Sequence, residues 1–166
     1  MTIINIHHLT FNTMKKTRKM RIFLLPLLAM AMAPALAQKT AADDILGKWL
    51  NEDKDAHIEV YKEAGKYFGK IVWLKEPIDE VTGKPKVDDE NPDESLQNRP
   101  IIGLVILKDF VFDGDEEWED GTIYDPKNGK TYSCYMHLDE EGILKIRGYI
   151  GVTWLGRSSY WTPVAK

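Results

Sequence analysis

From Gly47 onward the chain is written in short apolar runs of period two, and turn residues cut each run before a helix could establish itself. β-branched and aromatic side chains alternate with polar ones over Gly47–Asn51, Ala56–Lys62, Lys66–Leu74, Ile101–Phe112, Glu117–Tyr124, Lys130–Leu138, Ile143–Ile150 and Arg157–Val164. Asp113-Gly114-Asp115, Lys127-Asn128-Gly129-Lys130 and Asp139-Glu140-Glu141-Gly142 supply hairpin chemistry between them. A helical turn at Asp43-Asp44-Ile45-Leu46 leads into the first strand. Sequential antiparallel strands of this number are expected to close into an up-and-down barrel, because closure removes exposed edges. A barrel of about eight strands either fills with side chains or holds one small ligand.

Strand parity fixes where a site belongs. In such a barrel alternate connections share an end. Glu52–Asp55, Lys75–Pro100, Asp125–Gly129 and Gly151–Gly156 therefore surround one mouth, while the other end has tight hairpins and the termini. The third connection runs to about 26 residues, the length of a lid or a binding loop. Leu96, Arg99 and Pro100 are its expected anchors. Ile101–Leu107 reads as apolar on both faces, so its outer side calls for a cover, either the long loop or a second subunit in a homodimer.

The segment ahead of the barrel reads as an export signal. Lys15, Lys16, Arg18, Lys19 and Arg21 precede an apolar run from Ile22 to Ala33, and Ala35-Leu36-Ala37 is an A-x-A cleavage site before Gln38. The run is short for a membrane span, so no stable membrane insertion is expected. Residues 1–37 are then a leader, with Met14 as a natural start, and residues 38–166 form one β-barrel domain. That places the product in the periplasm or outside the cell. Removing the leader takes 5 of the 22 basic residues and none of the 26 acidic ones, leaving 17 against 26, a net −9. Such a charge argues against nucleic acid or an anionic membrane surface as partner. Cys134 is the lone cysteine, on the stripe Tyr132, Cys134, Met136, Leu138, and reads as a buried, unreactive thiol.

An ordered set of motifs follows the strands: Gly47-x-Trp49, Gly69-Lys70-Ile71-Val72-Trp73-Leu74, Asp88-x-x-Asn91-Pro92 and Arg99-Pro100-Ile101-Ile102-Gly103. It continues with Tyr124-Asp125-Pro126-x-x-Gly129-Lys130-x-Tyr132, Leu144-Lys145-Ile146-Arg147-Gly148-Tyr149, Gly156-Arg157 and Trp161-Thr162. Through these the chain resembles the bacterial exported proteins grouped as domain of unknown function 2147. The resemblance implies a lipocalin-like (calycin) barrel and no established activity. Pro163 departs from it, standing where such proteins often carry a basic residue. Gly47-Lys48-Trp49 is similar to the Gly-x-Trp that opens lipocalin barrels, where a basic residue of the last strand covers the tryptophan. Parity puts Arg157 at the opposite end, so Trp49 is expected to close the barrel bottom by packing.

The candidate chemistry is sparse. His57 and His137 alternate with inward apolar residues and should face outward, too few soft ligands for zinc. Asp89-x-Asn91-x-Asp93 begins like a calcium loop, but Glu94 replaces the glycine and Pro100 the final glutamate, so a capped turn fits better. No metal and no cofactor are expected. The mouth should carry Asp88, Asn91, Tyr124, Asp125, Lys130 and Arg157 as ligand-binding residues, above an interior lined by Trp73, Tyr132 and Leu144. The expected partner is a small apolar or amphipathic molecule, or an envelope component. A structural interaction module is the alternative. An enzyme would have to build its acid and base from Tyr124, Asp125 and Lys130.

Overall fold

A computed structural model of the chain describes residues 41–114 and 116–165. The leader, its cleavage site and the choice between Met1 and Met14 lie outside the described residues. Eight antiparallel strands close into a barrel in sequence order: β1 (Gly47–Leu50), β2 (Ala56–Glu63), β3 (Lys66–Leu74), β4 (Val105–Phe112), β5 (Glu117–Asp125), β6 (Lys130–Leu138), β7 (Leu144–Tyr149) and β8 (Arg157–Pro163). β8 returns to β1 through Trp49 opposite Pro163 and Leu50 opposite Thr162. Short 3-10 turns occupy Ala41–Asp43, Glu94–Leu96 and Thr153–Leu155.

The period-two pattern translates into one buried face. Ala56, Ile58 and Val60 of β2 are buried and alternate with half-buried His57, Glu59 and Tyr61. One end is packed solid by Trp49, Tyr67, Phe110, Trp118, Met136 and Leu144. Gly121 is required there, because a Cβ would collide with the Phe110 ring. The segment just ahead of β1 seals this end. Trp49 Nε1 donates to the Ile45 carbonyl at 2.8 Å, Trp118 Nε1 to the Ala42 carbonyl at 3.1 Å, and the Tyr67 hydroxyl to Asp43 at 2.7 Å. These bonds satisfy the polar tips of aromatic rings that would otherwise be buried unpaired. Cys134 is buried, and desolvation pushes its thiol up to about 12, so it stays protonated.

Two readings of Ile101–Leu107 change. β4 begins at Val105, and 101–104 form a turn in which Leu104 N–H donates to the Ile101 carbonyl and Gly103 sits at φ +95°. A register shift against β3 then follows, with Gly69 opposite Leu107 but Lys70 opposite Val105. The bulge turns Ile106 and Leu107 both into the barrel, and Ile101 and Leu104 are buried as well. The run is doubly apolar because it bulges, while Ile102 stays exposed and Val105 half-buried on its outer side.

Candidate functional site

The open end is formed by the connections 51–55, 75–104, 126–129 and 150–156, the four that parity assigns to it. A cavity of about 1370 Å³ opens there and reaches into the barrel. Its depth is walled by Ala56, Ile58, Ile71, Ile106, Ile123, Ile146 and Trp161, with Tyr132 higher up. Most of these are β-branched residues, which cover a sheet face without reaching across the lumen. Ser159 also lines it, and its hydroxyl accepts Trp161 Nε1 at 3.0 Å. An apolar pocket ringed by polar groups results.

Two expected cavity residues lie elsewhere. Trp73 has the parity of inward Ile71, but the register slips between His57 and Ile58. Trp73 thus pairs with His57 on the outer surface, its ring 4.3 Å from the imidazole, and Leu74 takes the inward place. Leu144 is fully buried at the packed end, opposite Trp161, and does not border the cavity. Tyr132 does line it.

The long connection is tied to the barrel by a buried carboxylate. Asp88 is fully buried and accepts the Tyr124 hydroxyl at 2.6 Å, Asn91 Nδ2 at 2.8 Å, and Arg99 Nε and Nη2 at 2.9 and 2.7 Å. Burial pushes this carboxyl up, but the hydrogen bonds from Tyr124, Asn91 and Arg99 and the Arg99 charge outweigh it, so it titrates below the ordinary carboxylate range. Burial and the adjacent carboxylate hold Tyr124 above the ordinary phenol range, as its role of donor requires. Asn91 also accepts Asp93 N–H and its carbonyl accepts Gln97 Nε2, while Asp93 accepts Ser95 N–H. The Asn91 and Asp93 oxygens of the calcium-like run are therefore turned onto the loop itself, while Asp89 is exposed. Gly129 completes the joint, since a Cβ there would collide with the Glu90 carbonyl oxygen.

Asp88 and Asn91 thus hold the loop and do not line the cavity, a correction to their assignment at the mouth. Among the expected anchors, Arg99 serves through Asp88, and Pro100 bridges Val87. Leu96 is exposed, and the buried apolar anchors are Ile101 and Leu104. Asp125 and Arg157 do border the cavity. Asp125 organises its own turn, accepting Lys127 N–H at 2.9 Å and Asn128 Nδ2 at 2.8 Å. Lys130 starts β6 with an exposed side chain and does not border the cavity. Asp125 and Lys130 face each other in register across β5 and β6, while the Tyr124 hydroxyl is turned to Asp88.

The rim cation that sequence reasoning missed is Lys127. Its ammonium lies 3.0 Å from Asp55 and 3.2 Å from Asp53, and the hydrogen bond it donates to Asp55 is the main reason its pKa is raised. Asp55 is in turn fixed by Asn51 Nδ2 at 2.6 Å. Burial pushes the Asp55 carboxyl up, yet Asn51 and Lys127 bring it below its ordinary value. Parity already put Asp53 and Asp55 at the same end as 126–129. What picks Lys127 over Lys130 is the turn capped by Asp125, which swings Lys127 toward the first connection.

Residues 47–163 match the family model described as "Uncharacterized protein conserved in bacteria (DUF2147)". No curated protein matches the chain. Among solved structures the chain is similar to protein HP1028 from the human pathogen Helicobacter pylori, described as belonging to the lipocalin family. The TM-score is 0.63 at 24% identity, over 73% of this chain and 83% of that one. That likeness concerns the fold, a lipocalin-like barrel.

Proposed function

Since the chain belongs to the DUF2147 family of uncharacterized bacterial proteins, for which fold and site must stand in place of a known activity, we propose that it is an exported binding protein for a small amphipathic molecule. The observation that carries this reading is the open cavity of about 1370 Å³, largely apolar in its depth and charged at its rim. The apolar part of the ligand lies against Ile58, Ile71, Ile123, Ile146 and Trp161, and its head group stays at the mouth. There Asp125, Arg157, Tyr132 and the Lys127–Asp53–Asp55 group meet it. Arg157 is the rim cation we assign to the head-group contact, since it lies on β8 beside cavity-lining Ser158 and Ser159, whereas Lys127 already has two carboxylates. Export to the periplasm or beyond follows from the basic n-region, the apolar run and the A-x-A site, and intact-mass measurement of exported protein beginning at Gln38 checks it.

The binding test is a filled lumen. Ile123 is half-buried on the cavity wall. Ile123→Trp should occupy the space with little change in thermal stability. Native mass spectrometry of freshly purified wild-type protein should show a retained small molecule, and the variant should lack it. An apolar fluorescent dye should enter the wild type and not Ile123→Trp. Equal dye uptake by both proteins, with nothing retained by either, would sink the proposal.

A further inference from the structure

The mouth carries apolar side chains that the barrel does not need. Ile150, Val152, Trp154 and Leu155 in the connection 150–156 are exposed, Trp154 to 75% and Leu155 to 64%. Across the opening, Ile78 and Val81 of the long connection are exposed too, Val81 to 94%. Leu155 and Ile150 border the cavity directly, so on this side the rim is continuous with the apolar wall. Single exposed apolar residues are common, but several grouped around one opening mark a contact surface.

The loop that bears Trp154 is held in place. Arg147, on the outer face of β7, donates Nε at 3.0 Å and Nη2 at 2.7 Å to the Thr153 carbonyl, and Nη1 at 3.0 Å to the Ser158 hydroxyl. Gly156 passes so close to β7 that a Cβ would stand 2.6 Å from the Gly148 carbonyl oxygen. Leu155 N–H and Gly156 N–H return to the Val152 and Thr153 carbonyls. With its backbone fixed in this way, the turn displays Trp154 and Leu155 outward while a guanidinium serves the carbonyl behind them. Charge follows the same division. The chain has 26 acidic residues, yet none falls between Tyr149 and Lys166, where the only charges are Arg157 and Lys166.

We propose that this rim docks on the surface of a lipid bilayer, with Trp154 and Leu155 in the interface and Arg157 at head-group level. Trp is the side chain best suited to that boundary, having an apolar body and a polar N–H. A fluid lipid surface can take up the separate apolar tips on the acid-free side of the mouth, while the acids that border the cavity, Asp53, Asp55, Asp79 and Glu90 among them, stand on the other connections and stay in water. The contact is apolar and local, which fits an acidic chain that polyanionic surfaces repel. Docked in this way, the cavity opens directly to lipid, and an amphiphile enters without crossing water. The inference goes beyond ligand binding in the lumen and is tested separately from it. Among the described residues no helix is long and apolar enough to cross a membrane, so the contact is peripheral.

The test is vesicle binding by the full chain and its variants, which keeps the contribution of residues 1–40 constant. Electroneutral phosphatidylcholine vesicles are the probe. Trp154→Ser combined with Leu155→Ser should lower partitioning by at least about tenfold, since each lost side chain removes buried apolar area. Quenching of tryptophan emission by brominated lipid should be present in the wild type and largely absent in Trp154→Ser. High salt should change little. Arg147→Ala, which frees the turn but keeps its apolar residues, should lose part of the affinity. Dye uptake by the lumen should be unchanged in Trp154→Ser alone, whose residue does not line the cavity, so a failure of docking can be told from a failure of ligand binding. Unchanged partitioning in the double variant, or no brominated-lipid quenching, overturns the proposal. So does a concentration-dependent dimer that the double variant abolishes, because the rim would then face a second copy.

Discussion

The two ends of this barrel are made from the same eight strands and differ in what their inward residues can reach. At the sealed end, Trp49, Tyr67, Phe110, Trp118 and Met136 cross the lumen and meet. Tyr67 and Trp118 pack edge to face at 6.3 Å, and Trp118 and Phe112 at 5.0 Å. At the open end, Ile58, Ile71, Ile106, Ile123 and Ile146 stay against their own wall, and the space between them is the cavity. Side-chain length decides which half of a barrel is a core and which is a site. The polar groups divide likewise: indole and phenol tips at the sealed end are spent on the backbone of Ala42 and Ile45 and on Asp43, whereas at the open end ionic groups stand on the rim.

The largest expected effect separates the ends by truncation. Trp118→Ala should destabilise the protein by about 3–5 kcal/mol, the usual range for a large aromatic in a filled core. Ile123→Ala, on a half-empty wall, should cost about 1–2 kcal/mol, because few of its contacts face another side chain. Urea unfolding followed by far-ultraviolet circular dichroism measures both. Comparable losses would mean that the upper lumen is as tightly packed as the lower.

Next in size is the flank, where the long connection meets the barrel. Asp88→Ala leaves the Tyr124 hydroxyl, Asn91 Nδ2 and the Arg99 guanidinium without their acceptor, and should cost about 1–3 kcal/mol per partner that water cannot reach. Asn91→Ala should lower the melting temperature less. Acid should do the same work as Asp88→Ala. The Asp88 pKa is depressed in the folded protein, so its contribution is complete above the unfolded carboxylate value, near 3.9, and is lost as pH falls through the lower folded value. Hydrogen exchange at the amides of Asp88, Asn91 and Ile101 should therefore accelerate only in strong acid, ahead of the β5–β6 ladder. Simultaneous release of loop and ladder would show that the flank is no independent latch.

The smallest expected effects belong to the rim. Lys127→Ala breaks exposed ion pairs and should change stability by about 0–1 kcal/mol. Arg157→Ala should leave stability nearly intact and weaken retention of the ligand. Lys130→Ala should alter neither, since its side chain is exposed and away from the cavity. Thermal melts alongside native mass spectrometry of the three variants distinguish these outcomes. A retention loss for Lys130→Ala equal to that for Arg157→Ala would move the head-group site off the described rim.

The sequence by itself determined the strands, their order and the end at which a site could form. Alternation of apolar and polar residues needs no knowledge of neighbours, and Asp-Gly, Asn-Gly and Asp-Glu-Glu-Gly stop a strand wherever they occur. Parity then assigns every connection to an end, because each antiparallel hairpin reverses the chain. What only the tertiary structure decided is which face a residue takes after a bulge and which polar group finds which partner. Trp73 left the lumen through one slipped residue against His57, and Ile106 joined Leu107 inside through another against Lys70. Period two carries no mark of such an insertion, since a bulge is set by how two strands twist against each other. Asp88 was legible as important and not as buried. Its choice of Tyr124 depends on where a 30-residue connection, 75–104, comes to rest, and that is fixed by Gly129 yielding room to the Glu90 carbonyl and by Ile101 and Leu104 sinking into the core.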